Sequence, residues 1–540
     1  MTKFFLPGEA QQIDRLVQEC AYEQWHRMVF VRFLAENEFL IDPEYGQSVS
    51  MEALAEIAEE SKSDPWVLGG QFASASLPAI FRKDDPLLGL RLSQETQVKL
   101  NDLLNALPAE VFTADDSLGW VYQFWQSEEK DRVNASGDKI DGRSIPAVTQ
   151  LFTEHYMVLF LLHNTLGAWH AGKVLAENPE LATTAMDEAT LRRTVALKTA
   201  GGYEFEYLRF VKVEEASSLL RHQNQSLEGS ATIHEMAVTA RGLAKAAEIL
   251  AGQFTLVATN VPYLGRPNQD EILKNYCDKV HRVARGDLAA CFIERGLGFC
   301  SSGGSIALVT PQSWLFQPGY KKLRANLLEK ERWEFLARLG PRAFETIGGE
   351  QVNVCLLALS RSRADEAQSF AGIDVTERPS ASEKKADLLE GLLTAVAQTS
   401  QLKNPDTRIA LEALESDQLL AKHAVCIQGL ATSDDPQFTC CFWEFPELNN
   451  GWEGLMGTVE TTCLGGGRER LVYWEDGSGR YYRHAQALKA EGRLGGWKSG
   501  TEARGKMGVL VSQMSTMPVT LYTGEFYDHN ASVIVAHDPT

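Results

Sequence analysis

The sequence predicts an α/β fold for the central part of the chain, because two kinds of segment alternate there. Short β-rich runs are separated by amphipathic helical stretches, a spacing typical of a largely parallel sheet. The runs are 253–260, 303–314, 334–340 and 351–360, and the helical stretches are 286–300 and 320–333. With 540 residues, 44% of them hydrophobic and 23% charged, the chain is long enough for several domains with full cores.

The segments around this region differ in composition and in the spacing of apolar residues, and these differences predict four domains in all. Residues 1–145 are predicted to be an N-terminal helical domain, because apolar side chains recur there at helical spacing. Residues 146–365 are the predicted α/β domain, and its first part, 146–175, is predicted to be one long helix that is buried at 157–169. Residues 366–425 are predicted to be a helical connector, and 426–540 a β-containing domain of short strands, glycine clusters and aromatic residues.

Cysteine usage and apolar runs exclude several classes of protein. The nine cysteines are scattered without a CxxC pair or matching histidines, so we expect no metal site, no disulfide framework and a reduced, cytoplasmic setting. The most apolar segment, 157–169, is shorter than the ~20 residues that span a bilayer, and no secretory signal pattern opens the sequence. We therefore expect no membrane association.

The charge of −20 argues against nucleic-acid binding by the whole surface, but it leaves room for a local basic site. Residues 468–506 carry nine Lys or Arg against five Asp or Glu, together with five Tyr or Trp. Basic and aromatic side chains in one segment suit nucleic acid, whereas a solvated loop explains the same composition equally well. On the first interpretation, Arg480 and Arg483 are the candidate DNA-binding residues.

One strand end carries a candidate catalytic corner, Asn260-Val261-Pro262-Tyr263. In sheets of this kind, ligands bind at the carboxyl ends of the strands. The exocyclic amine of a nucleobase is a weak nucleophile, because its lone pair is delocalised into the ring. The Asn260 side-chain oxygen and a main-chain carbonyl fixed by Pro262 would accept its two N–H groups, and Tyr263 would stack on the extruded base. The alternative is an ordinary turn after a strand.

Three segments around this corner give the sequence a family resemblance. In chain order they are FTLVATNVPYLGR, DLAACFIERGLGFCSSGGSIALVTPQSWLF and RAFETIGGEQVNVCLLALS. Together they resemble the catalytic half of adenine-specific DNA methyltransferases, whose signature is Asn-Pro-Pro-Tyr, and in particular the BREX-associated (PglX-like) enzymes and related restriction-modification methylases. The resemblance implies a Rossmann-like methyltransferase sheet in the catalytic domain and part of a target-recognition domain at 426–540. It also implies S-adenosylmethionine as cofactor and double-stranded DNA as substrate, and it leaves open partners among other defence-system subunits.

The resemblance also assigns roles to individual residues. The catalytic residues carried over are Asn260, Pro262 and Tyr263. Val261 stands where the family has a second proline, a change that should be tolerated because its side chain is not the acceptor. Thr153 and Asp287 would line the cofactor cleft, although Asp287 is also explained as the N-cap of the helix that follows it.

The glycine-rich turn with which the family holds S-adenosylmethionine, of the type Asp-Pro-x-x-Gly-Ser-Gly-His-Phe, is not found between residues 168 and 252. In such a turn the backbone approaches the ligand so closely that only glycine fits. Either the chain is a shortened, catalytically inactive relative, or a segment of the natural protein is missing near 211–218.

Two functions therefore compete. The first is an S-adenosylmethionine-dependent DNA adenine methyltransferase of a phage-defence or restriction-modification system. The second is a catalytically inactive DNA-binding or scaffold subunit derived from such an enzyme. A nuclease is set aside, because the carboxylate pair followed by lysine that is typical of metal-dependent cleavage is not apparent near the N-terminus.

Overall fold

The computed structural model divides the chain into two compact units, residues 1–413 and 414–540, each with its own hydrophobic core. The residues that the structure describes are 9–78, 80–81, 92–114, 117–142, 144–149, 153–184, 187–197, 199, 203–212, 217–218, 249–345, 352–365, 367–412, 419–432, 434–444, 451–490, 500–513 and 517–538.

The first unit opens with helices that enclose a core of their own. They are α1 (Glu9–Glu36), α2 (Met51–Glu60), α3 (Pro65–Ser76), α4 (Gln94–Asn105), α5 (Glu110–Thr113) and α6 (Ser117–Ser136). The side chains of Ser50 and Asp64 accept backbone N–H groups and cap α2 and α3. Val31 and Leu54 are fully buried between these helices. The predicted helical character of residues 1–145 is confirmed over the described part.

The stretch 146–175, predicted as one helix, is divided in the structure. It contains α7 (Ile145–Thr149), α8 (His155–Leu162), a π-helical turn (His163–Gly167) and α9 (Ala168–Glu177). The elements that follow it are α10 (Glu180–Thr184), α11 (Glu188–Ala196) and the short antiparallel strands β1 (Phe210–Lys212) and β2 (Ser217–Ser218). The buried Asn164 side chain in the π-turn donates to Phe160 O at 2.9 Å and to Tyr207 O at 2.7 Å. The second bond reaches 43 residues along the chain, so the interruption depends on a non-local contact.

A six-stranded sheet forms the centre of the first unit, in the order β3-β4-β6-β5-β7-β8. Its strands are β3 (Phe254–Asn260), β4 (Cys300–Pro311), β5 (Arg332–Gly340), β6 (Val354–Ser360), β7 (Ser369–Asp374) and β8 (Thr394–Ala397). The predicted α/β class is confirmed. The expectation of a largely parallel arrangement needs correction, because β6 lies between β4 and β5 and is antiparallel to both. Every residue of β6 is buried, and a uniformly apolar run does not reveal strand direction.

Helices cover both faces of this sheet. They are α12 (Glu271–Val280), α13 (Leu288–Phe299), α14 (Lys321–Lys330), α15 (Ala381–Glu390) and α16 (Gln398–Gln401), together with α8. Alternate residues of β4 divide between two cores: Leu308 packs with α13 and α14, and Val309 packs with α8 and α15.

The segment 366–425, predicted as a helical connector, is more than a connector. It supplies β7 and β8 to the sheet, with α15 between them. These strands are short, and only one residue of β8 is buried, so the sequence offered little of the alternation that marks a strand.

The second unit contains two four-stranded sheets, in the orders β10-β12-β11-β15 and β14-β13-β16-β9. The strands are β9 (Ala424–Gln428), β10 (Thr439–Cys441), β11 (Trp452–Met456), β12 (Arg470–Tyr473), β13 (Gly508–Ser512), β14 (Val519–Tyr522), β15 (Phe526–Tyr527) and β16 (Ala531–Ala536), and the helices are α17 (Asp435–Phe438) and α18 (Arg480–Ala490). The predicted β content of 426–540 is confirmed over its described residues.

The described residues contain neither a candidate membrane-spanning helix nor a candidate metal site. None of their helices has the length and apolar character that crossing a bilayer requires. Nor do their His, Cys, Asp and Glu side chains form a group that could hold a metal ion.

Candidate functional site

The corner formed by residues 260–263 lies at the carboxyl end of β3, where the sequence predicted a site. Asn260 is the last residue of β3 and pairs in register with Val309 of the parallel strand β4. The Val261 N–H donates a hydrogen bond to the Val309 carbonyl at 3.3 Å, one residue beyond the end of β3. A proline at position 261 would have no N–H to give, so the departure from the family pattern adds a hydrogen bond here. The Val261 side chain is buried.

The Asn260 side-chain amide is held at both of its ends. Asn260 Nδ2 donates to Thr153 Oγ1 at 3.0 Å, and the Tyr263 hydroxyl donates to Asn260 Oδ1 at 3.0 Å. Together the two bonds orient the amide so that its oxygen acts as the acceptor. An amide oxygen has two lone pairs, so the bond from Tyr263 does not by itself prevent a second donor from binding.

Tyr263 is a partly buried ring that packs against both cores of the sheet. Burial, reinforced by the nearby Cys355 and Asp287 side chains, raises the pKa of Tyr263 well above its usual value. The phenol is therefore neutral and able to donate. Because the ring is packed into the fold, stacking on an extruded base remains a prediction, as does the role assigned to the partly buried Pro262.

Thr153 lies two residues before the start of α8 and contacts the corner from there. The neighbouring Glu154 fixes this end of the helix, since Glu154 Oε1 accepts the Glu345 N–H at 2.9 Å. Thr153 and Asn260 are 107 positions apart in sequence and are brought together by this anchoring. The structure thus places Thr153 on the Asn260 amide, and its assignment to a cofactor cleft stays a prediction.

Asp287 is the N-cap of α13, as its sequence context predicted. Its Oδ1 atom accepts Ala289 N at 2.8 Å and Leu264 N at 3.4 Å. Burial raises the pKa of this carboxyl. Leu264 directly follows Tyr263, so Asp287 ties the exit of the corner to the start of α13. Its cofactor-binding role stays a prediction.

Gln312 is a further candidate site residue that the sequence analysis did not name. It follows the carboxyl end of β4, the strand beside β3, and its side chain is only 5% exposed. Its backbone N–H donates to Asn353 O at 2.8 Å, while Oε1 has no hydrogen-bond partner within the described structure. The same rule about strand ends that singled out Asn260 points to Gln312 as well.

Arg480 and Arg483 belong to the second unit, where both lie exposed in the first part of α18. Residues 480–490 are helical, so a loop is the wrong conformation for this part of the basic segment, while the DNA-binding role of Arg480 and Arg483 stays a prediction. Two of the five aromatic residues counted with them cannot reach a ligand, because Trp474 and Tyr481 are buried in the core of that unit. Trp497 falls outside the described residues.

The described residues do not by themselves fit S-adenosylmethionine. Among the described strands only β4 pairs with β3, so β3 is the edge strand of the described sheet. The sheet therefore has no described strand on the other side of β3 that could contact a cofactor. The two glycines near the corner, Gly265 and Gly286, do not form a glycine turn that could contact a cofactor through its backbone. A Cβ added at Gly265 meets nothing nearer than Pro267 Cδ at 3.8 Å, and one at Gly286 would collide with the Tyr320 hydroxyl rather than line an opening.

Comparison with known proteins gives a family match over a segment that contains the corner, and similarity to two adenine-specific methyltransferases. Residues 183–344 match the family model of the Eco57I restriction-modification methylase, which is less than a third of the chain. The adenine-specific methyltransferase PglX of Lacticaseibacillus casei (strain Zhang) is 27% identical over 213 residues, covering 39% of this chain and 15% of that protein. The adenine-specific methyltransferase BrxX of Escherichia coli O9:H4 (strain HS) is 30% identical over 194 residues, covering 35% and 16%.

Among solved structures, the cryo-electron microscopy structure of the DrdV–DNA complex aligns over 98% of this chain and 65% of its own. Its TM-score is 0.42 and its sequence identity 10%. The aligned region spans only about one sixth of the length of PglX and of BrxX. The predicted resemblance to adenine-specific and restriction-modification methyltransferases is confirmed by these partial matches.

Proposed function

We propose that the chain acts as a DNA adenine methyltransferase of a phage-defence or restriction-modification system, with the target adenine bound at the corner formed by residues 260–263. The observation that carries the proposal is the orientation of the Asn260 amide at the carboxyl end of β3. Hydrogen bonds with Thr153 and Tyr263 hold this amide so that its oxygen can accept a hydrogen bond from a ligand. The similarity of the surrounding segment to adenine-specific methyltransferases supports it.

The chemistry asked of the corner is to make an amine nucleophilic. Asn260 Oδ1 would accept one N–H of the adenine amine, and the main-chain carbonyl set by Pro262 would accept the other. Acceptors that are already fixed by the fold need no reorganisation when the amine changes geometry, which is the main advantage of a preorganised site. The amine proton can leave after the new bond forms, so the corner needs no basic side chain.

The base reaches the corner only after it leaves the DNA stack, at a cost of a few kcal/mol. Tyr263 supplies the stacking partner in this proposal. Since its ring is packed against both cores, the base would meet the part of the ring that remains exposed. Arg480 and Arg483 of the second unit would contact DNA phosphates.

The proposal includes S-adenosylmethionine as methyl donor, with Thr153 and Asp287 as candidate contacts, double-stranded DNA as substrate, a cytoplasmic setting and other defence-system subunits as partners. A second candidate, a DNA-binding or scaffold subunit without catalysis, is favoured by one observation. The described residues around β3 do not fit the cofactor.

Two measurements on the full chain test the proposal. The first is N6-methyladenine in plasmid DNA after incubation with S-adenosylmethionine, quantified by mass spectrometry. We expect Asn260→Ala to lower this activity by a factor on the order of 10²–10³, as for loss of a preorganised hydrogen-bonding group. Asn134→Ala, at an exposed asparagine of α6, is the matched control. Retained methylation in Asn260→Ala would remove the corner from the mechanism.

The second measurement is a calorimetric titration of the folded chain with S-adenosylmethionine. Saturable binding together with methylation supports the enzyme. DNA binding without cofactor binding or methylation supports the inactive subunit instead.

A further inference from the structure

Helix α12, which follows the corner, presents an apolar stripe to solvent. Ile272, Tyr276 and Val280 are 81%, 51% and 51% exposed, and their spacing of four places them in one line on the helix. Another side of α12 packs into the core through Cys277, which is fully buried. Single exposed apolar residues are ordinary on protein surfaces, whereas three in line on one helix indicate a contact surface.

The segment that carries α12 is tied to the corner at both ends. Leu264, next to Tyr263, accepts the buried Gln269 side chain (Nε2) at 3.0 Å and the Leu288 N–H at 3.0 Å. The Arg266 N–H donates to Gly286 O at 3.0 Å. These bonds close the chain on itself before and after α12, so the segment that carries the stripe is anchored to the residue that follows the corner.

The same segment carries positive charge in an acidic protein. Residues 264–286 contain five Lys or Arg against three Asp or Glu, while the whole chain has a charge of −20. Asp278 is already paired, with Arg266 at 2.7 Å and Arg285 at 3.2 Å. Lys279 and Arg282 are exposed, and within the described part of the chain they form no ion pair. Their charges are thus available to a ligand.

We infer that the α12 surface, defined as Ile272, Tyr276, Val280, Lys279 and Arg282, holds the DNA strand beside the base that the corner takes. The inference rests on the proposed function. Lys279 and Arg282 supply the contacts that phosphates require. Extrusion of a base exposes the apolar faces of its neighbours, and aromatic or branched side chains stabilise such unstacked steps. DNA at a disrupted step is therefore complementary to both parts of this surface, its charge and its apolar stripe.

Fluorescence anisotropy with the full chain tests the inference on two labelled 30-base-pair probes, one intact and one with a single abasic position that stands for the extruded state. Lys279→Gln with Arg282→Gln should weaken binding to both probes by about tenfold and reduce the salt slope by about two phosphate contacts. Ile272→Ser with Tyr276→Ser and Val280→Ser should reduce the preference for the abasic probe by about tenfold. Circular dichroism verifies folding, which these exposed positions should preserve.

The controls are matched in exposure and lie elsewhere in the same unit. Val98→Ser with Leu103→Ser replaces two apolar residues of α4 that are 51% and 67% exposed, and Arg363→Gln with Lys385→Gln removes two exposed charges. Wild-type affinity and salt slope in both α12 variants would overturn the inference while leaving the corner's role intact. A serine variant that alters only self-association or protein binding would overturn it too, in favour of a protein contact.

The proposed function can fail separately. If the chain binds DNA through the α12 surface but never methylates it, the inference stands and the enzyme proposal falls. If the wild-type chain binds neither probe, both fall.

Discussion

The Tyr263 hydroxyl donates a hydrogen bond to Asn260 Oδ1 at 3.0 Å, three residues back within the same turn. Tyr263→Phe removes this donor and keeps the ring that packs on both cores. We expect the folded state to lose about 1 kcal/mol, and kcat for methylation to fall by roughly five- to tenfold, because the Asn260 oxygen would lose the donor that helps to orient it.

The Tyr263 measurement is a comparison of kcat and of DNA Kd between wild type and variant. DNA affinity should be nearly unchanged, since the hydroxyl is turned toward Asn260 and not toward solvent. An unchanged kcat would mean that the Tyr263–Asn260 bond is not kept when the base is bound.

Thr153 is the second support of the Asn260 amide, at 3.0 Å from Nδ2. Thr153→Val preserves the shape of the side chain but removes the hydroxyl acceptor, so we expect kcat to fall about tenfold with the Kd for S-adenosylmethionine unchanged. Thr153→Ser keeps the hydroxyl and should restore most of the activity. A loss of cofactor affinity in Thr153→Val, with Asn260 function intact, would instead support the cofactor role that the family resemblance implies.

These two contacts show where sequence reasoning stopped. The acceptor role of Asn260 stays a prediction. The strand end at Asn260 was predictable, because a β-rich run followed by a polar corner and a proline is a local pattern. The partners of Asn260 were not. Thr153 lies 107 positions away in sequence, and the rotation of the Tyr263 ring into the fold depends on packing against two cores at once.

The same distinction applies to the fold. The strands β3 to β6 and the helices α13 and α14 were predicted close to their observed bounds, since periodicity and glycine turns are local signals. The reversed direction of β6 and the π-turn after α8 were not predicted. Both depend on tertiary contacts: β6 pairs with strands before it in the chain, and Asn164 bonds to Tyr207.

Arg480 and Arg483 lie one helical turn apart on α18 and are exposed. Arg480→Glu with Arg483→Glu should weaken binding to duplex DNA and lower the slope of log Kd against log salt by about two phosphate contacts. Arg363→Glu with Lys385→Glu, which reverses two exposed charges of the first unit, is the control for net charge. Equal affinity and slope in the Arg480 and Arg483 variant and in wild type would mean that this end of α18 is only a solvated surface.

His163 gives the first unit a stability that depends on pH. The ring is 3% exposed, and its Nδ1 atom accepts the Tyr207 N–H at 3.0 Å, which requires a neutral ring. Burial, with a smaller contribution from the nearby His155, lowers the pKa of His163 to about 4. An unfolded histidine titrates near ~6.5.

Between these two pKa values the unfolded chain binds more protons than the folded chain, so the free energy of unfolding must fall as pH decreases from ~6.5 toward 4. From pH 7.5 to pH 5 we expect this one residue to contribute a loss on the order of 2 kcal/mol. His163→Gln removes the titrating group, so its unfolding free energy should depend less on pH over this window even if the variant is less stable at pH 7.5. Urea unfolding at pH 7.5 and pH 5 measures the difference, with His423→Gln, at an exposed histidine of the second unit, as matched control. The same pH dependence in His163→Gln and wild type would contradict the assignment, because the buried ring would then not be the group that takes up the proton.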